Sequence, residues 1–154
     1  MSDDLYQQAI IDLAKRSRGQ PRLDDPDRTA TVDNPLCGDR ITLDLALDGE
    51  TVTGVGHKTR GCLLCEASAC LIVEHAPGET IDTLAAQGTL LIQSFVDQEQ
   101  DLATLWPGLD TLAPARRYRS RLDCVTLPFQ ALKKALEAKE GREDQRTDDQ
   151  ITSR

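Results

Sequence analysis

The sequence predicts a single domain in which several helices are combined with a β-hairpin. Three observations support this class. The chain has 154 residues, of which 39% are hydrophobic, so it is long enough for one well-formed core and too short for two. A strict alternation of apolar and other residues begins at Ile41 and is typical of a strand. Segments on both sides of that alternation repeat their apolar residues at helical spacing.

The first element is expected to be a helix that Ser2 or Asp3 caps and that ends near Gly19. Its apolar side chains fall on one face: Leu5, Tyr6, Ala9, Ile10 and Leu13. The next segment, residues 19–33, is polar and contains two prolines. We therefore expect a linker across the surface there.

The hairpin follows the linker. Its first strand carries four alternating apolar residues: Ile41, Leu43, Leu45 and Leu47. The pair Asp48–Gly49 is suited to a tight turn, because both residue types tolerate the positive φ angles that such turns need. Val52 and Val55 lie in the returning strand, whose glycines predict an irregular pairing.

The second half of the chain is predicted to be mainly helical. A helix begins close to Cys62 and stops at Pro77–Gly78. Two further helices are expected at residues 81–86 and 90–105, because apolar residues recur there at helical spacing.

The C-terminal part is predicted to contain a loop and a last helix. Residues 113–124 are expected to form the loop, and residues 125–138 the helix, with Pro128 in its first turn, where proline is tolerated. Residues 139–154 contain a single strongly apolar residue, Ile151, and are expected to be a disordered polar tail. The domain is therefore placed at residues 1–138.

The charge of the chain excludes some function classes. Its 18 lysines and arginines against 26 aspartates and glutamates give a formal net charge of −8, which disfavours binding to nucleic acid. No apolar run is long enough to span a membrane, so no membrane partner is expected. The acidic N-terminal residues do not resemble a signal peptide, and we expect a cytoplasmic location.

The five cysteines are the main candidates for chemistry, because in a reducing compartment they are more naturally thiols or metal ligands than disulfides. Cys37 lies in a Pro/Gly turn that no periodicity explains. Cys62 and Cys124 are expected at helix starts, where the helix dipole favours a thiolate. Cys65 forms a C-x-x-C pair with Cys62, a spacing that suits zinc or redox chemistry but is weak alone. Cys70 is in phase with apolar neighbours and is expected to pack in the core.

Asp39 is the candidate oxygen ligand. It lies two residues after Cys37, and a metal held by three thiolates accepts a carboxylate as its fourth ligand. The alternative is an ordinary aspartate that caps a turn or a strand. His57 and His75 have no metal-type partner at close spacing and are expected to be ordinary residues.

Three stretches of the sequence carry a family resemblance. "NPLCGD", "RGCLLCEASACL" and "RLDCVTLPFQAL" resemble, in order, the cysteine motifs of the IscU/SufU/NifU N-terminal family of iron–sulfur cluster assembly proteins. The stretch "LYQQAIIDLAKRSRGQPR" resembles the first helix of that family and the loop after it. The resemblance implies an α+β fold: a small antiparallel sheet of about three strands, with helices packed on one face and the ligand loops clustered at one end.

The resemblance also implies a site. In that family the positions of Cys37, Asp39, Cys62 and Cys124 bind zinc or carry a nascent 2Fe–2S cluster, and they accept persulfide sulfur from a cysteine desulfurase. About sixty residues separate Cys62 from Cys124, which resembles the SufU branch. The "LPPVK" segment by which IscU proteins engage an Hsp70 chaperone is absent, and Arg121 matches an arginine of the SufU pattern. Cys65 departs from the family pattern and is kept as an alternative fourth ligand.

The site is predicted to need positive charge nearby. Three thiolates and one carboxylate on a divalent ion leave a net charge of about −2, which is unfavourable to bury without compensation. An arginine-rich stretch directly before Cys124 can supply it: Arg116, Arg117, Arg119 and Arg121. Arg119 and Arg121 are the expected contacts to the site or to a docking partner. The alternative is a solvated face without a role.

The leading hypothesis is a zinc-dependent sulfur relay. Cys37, on a flexible turn, leaves the metal and attacks the desulfurase persulfide as a thiolate. Alternatively, the chain is a scaffold on which iron and sulfide assemble as a 2Fe–2S cluster for transfer to apo iron–sulfur proteins. The sequence leaves open whether the protein is an enzyme-like sulfurtransferase or such a scaffold. A non-catalytic zinc module is a further alternative, whereas a redox C-x-x-C enzyme is disfavoured because no thioredoxin-like βαβ pattern is present.

Overall fold

The computed structural model describes residues 3–35, 38–97, 102, 105–117 and 119–138 of the chain. Five helical segments and three strands follow one another in these residues. In chain order they are α1 (Asp3–Arg18), β1 (Arg28–Asn34), β2 (Asp39–Asp48), β3 (Thr51–Arg60), α2 (Leu63–His75), α3 (Ile81–Val96), a 3₁₀ segment (Leu109–Arg117) and α4 (Arg119–Glu137).

The sheet is antiparallel, with the strand order β1-β2-β3. The predicted hairpin is confirmed: β2 and β3 join through a tight turn in which Gly49 has a φ of 63°. Ala46 pairs with Gly54 and Leu47 with Val52, so the extra residue, Thr53, lies on the returning strand, where the irregularity was expected. One face of the sheet carries the fully buried Ile41, Leu43 and Leu45.

The expected linker at residues 19–33 is wrong in its second half. Residues from Arg28 onward form β1, which pairs with β2 so that Val32 lies opposite Ile41. The two prolines lie before the strand, and Ala30 and Val32 alternate with threonines in the period of a pleated strand. The high density of charged residues just before β1 concealed this short alternation.

The first half of that segment does cross the surface, and Asp44 holds it there. The Asp44 side chain is fully buried, and it accepts two hydrogen bonds from the Arg22 guanidinium at 2.8 and 3.0 Å. It also accepts hydrogen bonds from the Leu23 backbone N–H and the Thr29 hydroxyl. A buried carboxylate is stable when it is paired and hydrogen-bonded in this way.

The two helices expected at residues 81–86 and 90–105 are one helix, α3, which ends at Val96. Gly88 lies inside this helix without interrupting it. Helix α4 packs close at this point: a Cβ on Gly88 would lie 2.9 Å from Cγ of Lys133. Glycine therefore marks close packing of two helices here. The rest of the expected second helix lies partly outside the described residues.

The expected loop at residues 113–124 is also wrong. The 3₁₀ segment occupies its first part, and α4 begins at Arg119, six residues before the expected start. Leu122, Val125 and Phe129 follow helical spacing and pack in or against the core, so the arginines in this stretch belong to a helical start. Pro128 is the tenth residue of α4 and lies in its interior.

Helices α2 and α4 pack against the sheet, α1 packs on α2, and α3 packs on α4. This arrangement confirms the α+β class with a three-stranded antiparallel sheet. Among the described residues, no helix is both long and apolar enough to cross a bilayer. The expected tail, residues 139–154, lies outside the described part of the chain.

Candidate metal centre

Three of the predicted ligands meet at one end of the sheet. Asp39 is the first residue of β2, Cys62 is the N-cap of α2, and Cys124 lies in the second turn of α4. One ligand atom from each of these side chains lies within 4.8 Å of the other two. The fold therefore brings together residues that are far apart in the sequence.

The geometry around Cys62 suits a ligand. Its Sγ lies 3.6 Å from Oδ2 of Asp39. Cys62 has the extended backbone of an N-cap, and its side chain makes no capping hydrogen bond to the helix. The predicted helix start at this residue is confirmed, so the positive end of the helix dipole lies at the thiol.

Asp39 and Cys124 lie deeper than Cys62. The Asp39 residue is 4% exposed, Cys124 is half-buried, and Cys62 is exposed. Burial raises the pKa of the Cys124 thiol strongly, and hydrogen bonds to Asp39 and Cys62 and the negative charge of both raise it further. A divalent cation bound to these groups would act in the opposite direction, because its positive charge lowers the pKa of a thiol that it coordinates. The donor set of two sulfurs and one carboxylate oxygen fits zinc.

Cys124 is placed differently from the prediction. We expected it at a helix start, but α4 begins at Arg119 and places Cys124 inside the helix. Pro128 has no N–H to donate to the carbonyl of Cys124, so this turn lacks one helical hydrogen bond. The thiolate therefore gains less from the dipole of α4 than the sequence suggested.

Cys37, the predicted fourth ligand and sulfur acceptor, lies outside the described residues. The described backbone resumes at Gly38, whose N–H donates to the Asn34 carbonyl at 2.8 Å and whose φ is 79°. This conformation favours glycine at position 38, directly before the ligand Asp39.

The two remaining cysteines lie in the core. Cys65, the alternative fourth ligand, is fully buried, and its thiol is not part of the ligand cluster. Cys70 is fully buried as expected; its thiol lies 3.4 Å from a Glu74 carboxylate oxygen and accepts a hydrogen bond from Gln20. Burial, followed by the charge of Glu74, raises the pKa of Cys70 to about 11.

The arginines of the arginine-rich stretch lie in different surroundings. The guanidinium of Arg116 donates to the carbonyl of Ser94 at 2.8 and 3.2 Å and so satisfies the end of α3. Its expected role at the metal site is therefore not supported. Arg121 is exposed on the first turn of α4, three residues before Cys124. The side chains of Arg117 and Arg119 lie outside the part of the chain that the structure describes.

The structure also contains a buried polar group on β3 that we did not predict. His57 is 4% exposed, its Nδ1 lies 2.8 Å from the Thr59 hydroxyl, and its Nε2 lies near both Ser17 Oγ and Gln20 Oε1. Burial lowers the pKa of His57, although the charges of Glu66 and Asp44 act against that change. His57 is in phase with Val55 on the core face of β3, and this alternation was the available sequence signal.

Comparison with known proteins is consistent with this geometry. Residues 5–145 match the family described as NifU-like N terminal domain. The chain is 30% identical over 139 residues to the zinc-dependent sulfurtransferase SufU of Bacillus subtilis, covering 90% of this chain and 94% of that protein. It is 25% identical over 132 residues to the iron–sulfur cluster assembly scaffold protein IscU of Streptococcus pyogenes serotype M1, covering 86% and 82% of the two chains.

Solved structures share the fold. A putative iron–sulfur cluster assembly scaffold protein for the SUF system from Fervidobacterium islandicum AW-1 superimposes with a TM-score of 0.75 at 21% identity, covering 89% of this chain and 96% of that one. A NifU-like N-terminal protein from Brucella abortus gives a TM-score of 0.74 at 25% identity, covering 87% and 93%. On the family match, the chain belongs to the NifU-like N-terminal domain family of iron–sulfur cluster assembly proteins.

Proposed function

We propose that this protein accepts sulfur from a cysteine desulfurase at a zinc centre formed by three cysteines and one aspartate. The observation that carries the proposal is the cluster of Asp39, Cys62 and Cys124, whose ligand atoms lie within 4.8 Å of one another. The name of the Bacillus subtilis relative, a zinc-dependent sulfurtransferase, supports the same activity.

The proposed ligands have two different roles, which follow from their positions in the fold. Cys62, Cys124 and Asp39 are held by α2, α4 and β2 and act as anchors, and Cys37 supplies the fourth ligand from the turn before Asp39. Zinc, when bound, keeps these thiols deprotonated near neutral pH. Asp39, as the single carboxylate, carries the same charge as a thiolate but binds zinc less strongly than a fourth thiolate would.

The transfer step uses Cys37 as the nucleophile. Its thiolate attacks the outer sulfur of the persulfide on the desulfurase cysteine. A new S–S bond forms on Cys37, the S–S bond of the donor breaks, and the donor cysteine leaves as a thiolate. The sulfane sulfur keeps its oxidation state overall, so the step requires no external oxidant or reductant.

A scaffold role is the second candidate, because relatives at 25% and 28% identity are named iron–sulfur cluster assembly scaffold proteins. Thiolates of the kind clustered here are also the usual ligands of iron–sulfur clusters. In this role Cys62 and Cys124 would ligate a 2Fe–2S cluster, which an apo iron–sulfur protein would then receive.

One experiment separates the two roles. Protein purified without added metal is analysed for zinc and iron, and its effect on the turnover of a purified cysteine desulfurase is measured. One zinc per chain together with faster turnover supports the sulfur relay. A visible-absorbing cluster that forms on anaerobic reconstitution and transfers to an apo-ferredoxin supports the scaffold.

Matched variants make this experiment specific. Cys124→Ala removes a clustered thiol, whereas Cys70→Ala removes a buried thiol outside the cluster. We expect the first variant to lose zinc and the second to retain it. Zinc that is held tightly without any effect on desulfurase turnover would contradict both proposals and indicate a structural zinc module.

A further inference from the structure

Three exposed cations lie together on the outer face of the sheet, which we call the basic face: Arg40, Lys58 and Arg60. Arg40 and Arg60 are direct cross-strand partners on β2 and β3. Lys58 lies two residues before Arg60 and therefore on the same side of the sheet. The opposite side at this end carries Ile41, which is buried in the core.

The basic face has no partner of its own within the described residues. Like charges placed opposite each other on neighbouring strands repel. The ion pairs among the described residues use Arg16, Arg18 and Arg22 instead, and none of them involves the basic face. Asp33 lies across from Arg40 on β1, but these two described side chains form no ion pair within 4.0 Å.

The position of the basic face connects it with the metal centre. Arg60 lies two residues before Cys62, and Arg40 directly follows Asp39. A surface concavity of about 240 Å³ is lined by Arg40 and Arg60 together with Asp33 and the buried Asp39. A group that binds to these arginines is therefore brought to the edge of the cluster.

We propose that the basic face is the docking surface for an acidic segment of the cysteine desulfurase. This inference rests on the proposed function, since it names the chemistry by which that partner is held. The cations extend over two strands, with Cα atoms roughly 5 Å apart across the strands and about 7 Å apart along β3. This spacing suits several carboxylates on a peptide segment better than one small anion.

The net charge of the chain disfavours nucleic acid as the occupant. With a formal charge of −8, the molecule as a whole repels a phosphate backbone. Charges at the rim of an interface act mainly on the rate of association and on its salt dependence. The basic face should therefore change how strongly the desulfurase is bound more than how fast the bound complex turns over.

The test compares charge reversals of equal size at two places. Arg60→Glu and Lys58→Glu change the basic face, and Lys15→Glu makes the matched change at an exposed site on α1. We expect the protein concentration that half-saturates desulfurase turnover to rise about tenfold at low salt for the first two variants and less than twofold for Lys15→Glu. The maximal rate should stay within about twofold, and zinc content is measured for every variant.

A direct measurement of binding to the desulfurase keeps this inference separate from the proposed function. Binding is measured by fluorescence anisotropy at several salt concentrations. Wild-type protein that binds without accelerating turnover, while Lys58→Glu binds weakly, supports the docking surface and contradicts the sulfur relay. Equal binding by Lys58→Glu and Lys15→Glu overturns the docking surface. An effect limited to self-association in sedimentation overturns it as well, because the basic face would then bind a second copy of the chain.

Discussion

The carboxyl group of Asp39 occupies the space that a side chain at Gly61 would need. A Cβ built on Gly61 would lie 2.8 Å from both Cγ and Oδ1 of Asp39. Gly61 directly precedes the N-cap Cys62, so the backbone that presents one candidate ligand also packs against another. A side chain at position 61 would therefore displace Asp39 from its observed position.

The first prediction is that Gly61→Ala weakens zinc binding. The added methyl group forces Asp39 to move, and disturbing the support of a ligand typically lowers metal affinity by about 10- to 100-fold. We expect a change in this range when zinc is titrated in competition with a chelator. Gly54→Ala is the matched control, because a Cβ there meets only the Ala46 side chain at 3.7 Å, an ordinary contact. Equal zinc affinity in both variants would contradict the prediction, because it would show that Asp39 can bind zinc with a methyl group at position 61.

The second prediction concerns the sulfur acceptor. If Cys37 is the nucleophile and the other cysteines are anchors, Cys37→Ala abolishes sulfur acceptance but lowers stability less than Cys62→Ala or Cys124→Ala. Removing an anchor weakens a metal site whose binding energy contributes to folding. Persulfide on the protein is measured by mass shift after incubation with desulfurase and cysteine, and stability by thermal unfolding. Sulfur acceptance by Cys37→Ala at the wild-type level would contradict the relay.

The sequence predicted the local elements that have clear periodicity. The hairpin and the start of α2 were confirmed because alternation, the Asp48–Gly49 turn and the residues around Cys62 act over short distances. The strand β1 was missed because prolines and charges just before it outweigh a short alternation. The start of α4 was missed because the arginine-rich stretch before Leu122 has the composition of a loop.

The site could not have been assembled from spacing alone. Cys62 and Cys124 are separated by about sixty residues, and no local pattern states that α2 and α4 begin at the same end of the sheet. Ligand chemistry suggested a metal shared by three thiolates and Asp39, the family resemblance implied the same set, and the structure brings Asp39, Cys62 and Cys124 together. Cys37 lies outside the described residues, so its place in the site stays a prediction.

The third prediction concerns His57 and pH. Burial lowers the pKa of His57 below its ordinary value of about 6.5. Below that pH the unfolded chain binds a proton that the folded chain does not, so the free energy of unfolding decreases as the pH falls from about 6.5 towards the folded pKa. The charged groups of Glu66, Lys58 and Arg18 line the same cavity, and Asp44 acts on His57 from β2.

The measurement is urea unfolding of metal-free protein at pH 7.5 and pH 5.5. We expect wild type to lose more free energy of unfolding between these pH values than His57→Gln does, because only wild type carries the histidine whose pKa burial lowers. His75→Gln removes the other histidine and controls for a general effect of the substitution. The same pH dependence in wild type and His57→Gln would contradict the assignment.

The fourth prediction decides between Asp39 and Cys65 as the fourth ligand. Asp39 is 4% exposed, and its Oδ2 lies 3.6 Å from Cys62 Sγ, whereas Cys65 is fully buried and its thiol is not part of the cluster. We therefore expect Asp39→Ala to weaken zinc binding at least about tenfold in competition with a chelator.

Cys65→Ala should keep the wild-type affinity and lose about 1 kcal/mol of stability, because it removes one buried atom from the core. A fourth thiolate would bind zinc more strongly than a carboxylate does, which would hinder exchange at Cys37. Loss of zinc in Cys65→Ala alone would therefore indicate a four-cysteine site and favour a structural zinc over the sulfur relay.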